Sequence, residues 1–265
     1  MSTPLFLVSG WNTAPSIWNP LIEALGDSFN VVQARLPGEH DEGSLKEGRG
    51  AGRPTDPLES ERRSRAADIQ GLLASWLDDL WHQAPPNAHW CGWSLGATLS
   101  MAAALARPAA ISRLTLVCPT PKFCQAEEWD WGAEGRAFEA LQRKCQRDPI
   151  AGWRRFVGWQ MGGPPTPSQW SELQEHRSSA PQWALDEGQR LLLELDLRTR
   201  VGDIQVPTDV WAAHEDPIID PRASQWIARQ IPSASWNQVG HNHLLPWFEP
   251  NTLAEQLLAG AEALR

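Results

Sequence analysis

The stretch that most constrains this chain is Cys91-Gly92-Trp93-Ser94-Leu95-Gly96-Ala97, a Gly-X-Ser-X-Gly sequence. The residues ahead of it, 88–90, are short and largely apolar, and those after it, 97–106, are rich in the good helix formers Ala, Leu and Met. A strand, a sharp turn and a helix form the setting in which this motif exposes its serine as a nucleophile. A turn that tight leaves no room for side chains on either side of the serine, so both neighbours two residues away are glycine. The serine then stands at a helix N-terminus, where backbone N–H groups and the helix dipole favour negative charge. Gly-X-Ser-X-Gly also occurs by chance in loops; the flanking strand and helix argue against that here.

With 265 residues the chain suits one large α/β domain carrying an inserted subdomain. Its net charge of −9 argues against a general nucleic-acid binder. No apolar run approaches the length of a membrane span, and residues 5–8 are too short an apolar segment for a signal peptide. Cys91, Cys118, Cys124 and Cys145 form no Cys-x-x-Cys pair, so we expect free thiols in a reducing cytoplasm and no zinc cluster. There are 16 Trp and no Tyr, which removes tyrosine as an acid or oxyanion donor. Lysine occurs only at Lys46, Lys122 and Lys144, so basic clusters in this chain are arginine clusters.

Strands are expected at residues 5–8, 30–34, Ala88–Trp93, 113–118, 208–213 and 235–239. Helices are expected at 16–25, 64–82, Leu95–Ala106, Pro221–Gln230 and 250–264. Residues 39–63 are polar, rich in Gly and Pro and without period, which predicts a mobile surface loop. Between 119 and 195 no strand pattern appears, only helical segments at 134–147, Pro149–Met161, 168–178 and 183–195. Alternating strands and helices predict a mostly parallel sheet flanked by helices. The strandless segment 119–195 predicts a helical cap inserted into a core of 1–118 and 196–265.

A serine hydroxyl needs a histidine base and an acid that orients it. In the strand–turn–helix architecture the order along the chain is serine, acid, histidine. The strand at 208–213 runs into His214-Glu215-Asp216-Pro217, and the strand at 235–239 into Gly240-His241-Asn242-His243. Ser94, Asp216 and His241 therefore reach one sheet edge in the required order. Glu215 and Asp220 compete for the acid. His243 competes for the base, but His241 directly follows the strand, whereas His243 opens the apolar Leu244-Leu245-Pro246. An oxyanion hole needs fixed N–H donors; Leu95 after the serine and Trp11 in the turn after the first strand are the candidates. Trp11 reads equally as a core aromatic, and both roles can hold because only its backbone is needed. The spacing of His241 and His243, with His214 near, also resembles zinc ligation; the serine reading explains His241 without metal, and no metal or cofactor is expected.

Gly10-Trp11, Leu36-Pro37-Gly38, Gly92-Trp93-Ser94-Leu95-Gly96, Asp216 and Gly240-His241 together resemble the α/β-hydrolase superfamily. With the segment 155–162, Arg-Phe-Val-Gly-Trp-Gln-Met-Gly, they resemble the pimeloyl-[acyl-carrier protein] methyl ester esterases of biotin synthesis. The resemblance implies a cytoplasmic serine carboxylesterase with Ser94, Asp216 and His241 as triad and Trp11 and Leu95 as oxyanion donors. It also implies that Trp11, Phe156 and Gln160 contact the acyl chain; Phe156 and Gln160, at i and i+4, share a helix face. It implies an acidic acyl-carrier protein as partner of a monomeric enzyme, docked on cap arginines: Arg143, Arg147, Arg154 and Arg155. Over 134–160 basic residues outnumber acidic ones although the whole chain is acidic, which fits such a partner. A solvated helix face rich in arginine reads nearly as well. The chain departs from the family at Ser9-Gly10, where His-Gly is usual, and around 168–172, which lack the family's further arginines.

Overall fold

The computed structural model describes residues 3–39 and 69–262. Thr3–Val8 forms strand β1, whose last four residues are wholly buried. A 3-10 turn at Pro15–Trp18 leads into helix α1 (Asn19–Leu25), and Phe29–Gln33 returns as β2. From residue 69 onward come α2 (Ile69–Gln83), β3 (Ala88–Trp93), α3 (Leu95–Ala106) and β4 (Ile111–Val117). Four helices follow without a strand: α4 (Gly135–Arg147), α5 (Pro149–Met161), α6 (Pro167–Leu173) and α7 (Gln182–Glu194). The chain then makes β5 (Thr208–Ala212), α8 (Pro221–Gln230), β6 (Ala234–Gln238), α9 (Leu245–Phe248) and α10 (Pro250–Glu262).

The six strands lie in the order β2-β1-β3-β4-β5-β6, and every neighbouring pair is parallel. All six residues of β3 are buried, as a central parallel strand requires when helices cover both faces. From β1 the chain steps outward to β2, then crosses back to β3 and proceeds the other way. The carboxyl ends of β1 and β3 therefore diverge at a topological switch point, where open α/β sheets hold their ligands. Residues 9–11 and 94–95 occupy that point.

Helix α3 is buried from Leu95 to Ala104, a core helix with no charged face. It can press onto the sheet because of two glycines. A Cβ on Gly92 would strike the carbonyl oxygen of Gly96, and one on Gly96 would strike that of Val8. Glycine at both positions lets β1, β3 and α3 meet backbone to backbone.

The segment between β4 and β5, called the cap segment below, packs over the switch point. Phe138 of α4 and Phe156 of α5 meet the Trp11 ring edge-on at 4.8 and 5.4 Å, and Gly188 of α7 leaves room against Trp11 and Leu95. The helix expected over 168–178 stops at Leu173, with a 3-10 turn to His176. Its last residues serve the core instead: Ala14 N–H donates to His176 C=O at 2.8 Å, and Ser178 N–H to Asn12 C=O at 3.2 Å. Glu39, expected at the start of a surface loop, is half-buried and accepts a hydrogen bond from the Ser178 hydroxyl at 2.7 Å. The rest of that expected loop (40–63), the first turn of the helix expected from 64, and the chain beyond 262 lie outside the described residues. No helix among the described residues is long and apolar enough to cross a membrane.

Candidate active site

Ser94 is the single residue between β3 and α3, capping the helix with φ 57° and ψ −120°. Such a backbone is strained for a residue with a side chain and persists only where the surroundings enforce it. They do: Ser94 N–H donates to Val117 C=O at 3.0 Å, and its own C=O accepts from Ala97 and Thr98, closing the first turn of α3. The N–H of Leu95, first residue of that helix, has no intrahelical acceptor.

Asp216 lies in the loop after β5, its side chain 1% exposed. Oδ1 accepts the N–H groups of Ile218 and Ile219 at 2.8 and 2.9 Å, which fixes the carboxylate in a turn of its own loop. Oδ2 faces Nδ1 of His243 at 2.7 Å, and Nε2 of the same ring faces Ser94 Oγ at 2.9 Å. A carboxylate only accepts, so Nδ1 carries the proton and Nε2 is free to accept from the serine. That arrangement can take a proton from Ser94 as Oγ attacks a carbonyl, and stabilise the imidazolium that results.

The structure thus brings His243, not His241, to the serine. Strand β6 ends at Gln238, and Gly240, at φ +61°, turns the chain away before it can descend. His241 is left exposed, its ring 6.1 Å from that of exposed His214. The descent comes at Leu244 and Leu245, both wholly buried, and they draw His243 down with them. The apolar run that argued against His243 is what buries it. Three further bonds hold it there: its N–H donates to Gln160 C=O at 2.9 Å, its C=O accepts the Trp93 indole N–H at 2.8 Å, and Asn242 Oδ1 caps Leu244 N–H. The rivals for the acid are placed elsewhere. Glu215 is exposed, and Asp220 caps α8 and pairs with Arg222.

Gly10, which precedes Trp11, lies against the serine; a Cβ on Gly10 would sit 3.2 Å from Ser94 Cβ. The Trp11 indole N–H donates to Leu185 C=O at 2.8 Å, so the side chain belongs to the contact with the cap segment. Phe156 and Gln160 both face inward on α5. Gln160 is wholly buried, and neither polar atom of its amide has a partner among the described residues. The four arginines are exposed: Arg143 pairs with Glu139, Arg154 lies over the Trp170 ring, and Arg154 and Arg155 line a groove of about 900 Å³ that also touches Ala137, Leu141, Trp159 and Pro217. Ser94 is not part of that lining.

Cys118, just after β4 with φ +48°, is marked by the sequence only as a free thiol. Its Sγ lies 3.8 Å from His243 C=O, and its thiol, with Asp216 and His243, sets three donor atoms within 4.8 Å of one another. Burial, then the Asp216 charge, push the thiol well above its usual range. His214 and His241 do not complete a metal site with His243, whose ring faces Asp216.

Residues 5–256 match the model of the alpha/beta hydrolase family, and the chain belongs to that family. More particularly, it is similar to proteins named pimeloyl-[acyl-carrier protein] methyl ester esterase. That of Nitrosospira multiformis is 28% identical over 86% of this chain and 82% of its own. That of Stenotrophomonas maltophilia is 29% identical over 92% and 86%, and that of Photobacterium profundum 30% identical over 77% and 72%. The resemblance read from the motifs therefore holds over most of the chain, and the names agree with the expected reaction class. Among solved structures, an esterase from Exiguobacterium antarcticum superposes with a TM-score of 0.80 over 98% of this chain and 92% of its own, at 14% identity. That likeness is one of fold.

Proposed function

We propose that the chain is a serine carboxylesterase in which Ser94 is the nucleophile, His243 the general base and Asp216 the acid that orients it. The observation that carries this is the unbroken run of hydrogen bonds from Asp216 through His243 to Ser94 at the switch point of the sheet. His243 Nε2 takes the Ser94 proton as Oγ bonds to the ester carbonyl carbon. The N–H groups of Leu95 and Trp11 hold the oxyanion; loss of one such donor typically lowers kcat roughly a hundred- to thousand-fold. His243 then gives its proton to the alkoxide oxygen, the C–O bond breaks and the alcohol leaves. Water, giving a proton to His243, then adds to the acyl carbon, and His243 returns that proton to Ser94 Oγ as the acyl–Oγ bond breaks, releasing the acid and the free serine. No cofactor or metal enters any step.

The substrate proposed is the methyl ester of pimeloyl-[acyl-carrier protein], giving methanol and the free pimeloyl-carrier protein in biotin synthesis. The names of the relatives support it. The aromatic wall of Trp11, Phe138 and Phe156 suits a methylene chain, and the unpartnered Gln160 amide suits a polar group on it. The segment 119–195 acts as a cap on the core, and Arg143, Arg147, Arg154 and Arg155 present positive charge to an acidic carrier. Ile150, 67% exposed among them, adds an apolar contact. The four cysteines are unpaired, in keeping with a cytoplasmic enzyme, and we take it to act as a monomer.

The test is hydrolysis of methyl pimeloyl-carrier protein beside free dimethyl pimelate, with Ser94→Ala as control. Ser94-dependent cleavage of the carrier-linked ester is expected. Cleavage of the free ester alone would keep the esterase and discard the carrier protein.

A further inference from the structure

The C-terminal turn of α5 touches the acid loop and the base loop at consecutive residues. The indole N–H of Trp159 donates to the C=O of Pro217, the residue after Asp216, at 3.2 Å. One residue on, Gln160 C=O accepts the backbone N–H of His243 at 2.9 Å. The last carbonyls of a helix have no intrahelical partner. Here those of Gly158 and Trp159 are taken by Gly162 and Gly163, with Gly162 in the left-handed conformation at φ +75°. The Gln160 carbonyl is thereby left for His243. The His243 ring is fixed by Asp216, its C=O by Trp93 of β3, and its N–H by the cap segment.

We infer that Trp159 is a positioning residue: its bond to Pro217, beside the Gln160–His243 bond, clasps the acid and base loops to one helix end, so that the seating of α5 and the alignment of Asp216 with His243 are one event. This rests on the roles proposed for Ser94, His243 and Asp216. Arg154 and Arg155 stand on the same helix, so a partner that engages them acts on the element that holds the pair.

Trp159→Phe keeps a ring against Phe138 and removes the donor. It is to be compared with the parent on dimethyl pimelate, which needs no carrier docking, and in the rate at which a fluorophosphonate probe labels Ser94, both per folded molecule as measured by circular dichroism. Loss of one hydrogen bond that aligns reacting groups predicts a fall in kcat of about three- to tenfold, an equal fall in labelling rate, and KM within about twofold. An unchanged kcat and labelling rate, or a change in KM alone, would overturn the inference and leave Trp159 a groove wall. A parent protein without Ser94-dependent hydrolysis would overturn the proposed roles themselves.

Discussion

Gln160 carries a buried amide with no partner for its oxygen or its nitrogen among the described residues. A buried amide costs about 1–3 kcal/mol while it stays unpaired, so as long as neither water nor ligand meets it the residue works against the stability of the fold it sits in. Such sites trade stability for activity. Replacing it with Met keeps the length and removes the unpaired atoms. The variant should melt higher by roughly 2–4 °C while kcat/KM for the acyl ester falls; a melting curve and ester kinetics on one preparation check both, and full activity would show that the amide is idle. At this scale Ser94 was legible because its glycines are dictated by close backbone approach, and Asp216 because it follows a strand end. His243 was not. Choosing it over His241 required knowing that Gly240 turns the chain aside and that Leu244 and Leu245 sink into the core, both of which are tertiary facts.

Between elements, Glu39 ties the loop after β2 to the cap segment through Ser178. Burial raises its carboxyl from 4.5 to about 7, outweighing the opposing pull of the Ser178 and Leu36 hydrogen bonds and of Arg35. The folded chain therefore keeps a proton that the unfolded chain releases. Stability from this group is complete below about pH 4.5 and is lost as pH rises through about 7. Glu39→Gln removes that loss, so the variant should gain on the parent by a few degrees in melting temperature between about pH 5 and pH 8. A difference constant over that range, in calorimetry, would contradict the assignment. The strands were legible because short apolar runs bounded by Pro and Gly admit little else, and α3, α5 and α8 matched their expected ends. The segment after Leu173 was misread because its helical composition yields to backbone bonds with residues 12–14, which no local pattern announces.

Across the whole molecule, an acidic chain sets an arginine-bearing helix, α5, on the cap segment. If that face steers an acidic carrier, reversing Arg154 and Arg155 to Glu should raise KM for the carrier-linked ester about tenfold or more and leave the free ester within about twofold. The difference should shrink as salt is raised, because exposed charges are screened over about 8–10 Å. Equal effects on both esters would assign the arginines to the fold. Residues 94, 216 and 243, far apart in sequence, meet at the switch point of one parallel sheet, and the proposal is that they act as one triad. The most direct test is kcat/KM of His243→Ala against His241→Ala on one ester. The account predicts that His243→Ala loses at least a thousand-fold, on the order seen when a member of such a triad is removed, and that His241→Ala stays within about twofold. Loss in His241→Ala with activity retained in His243→Ala would contradict it.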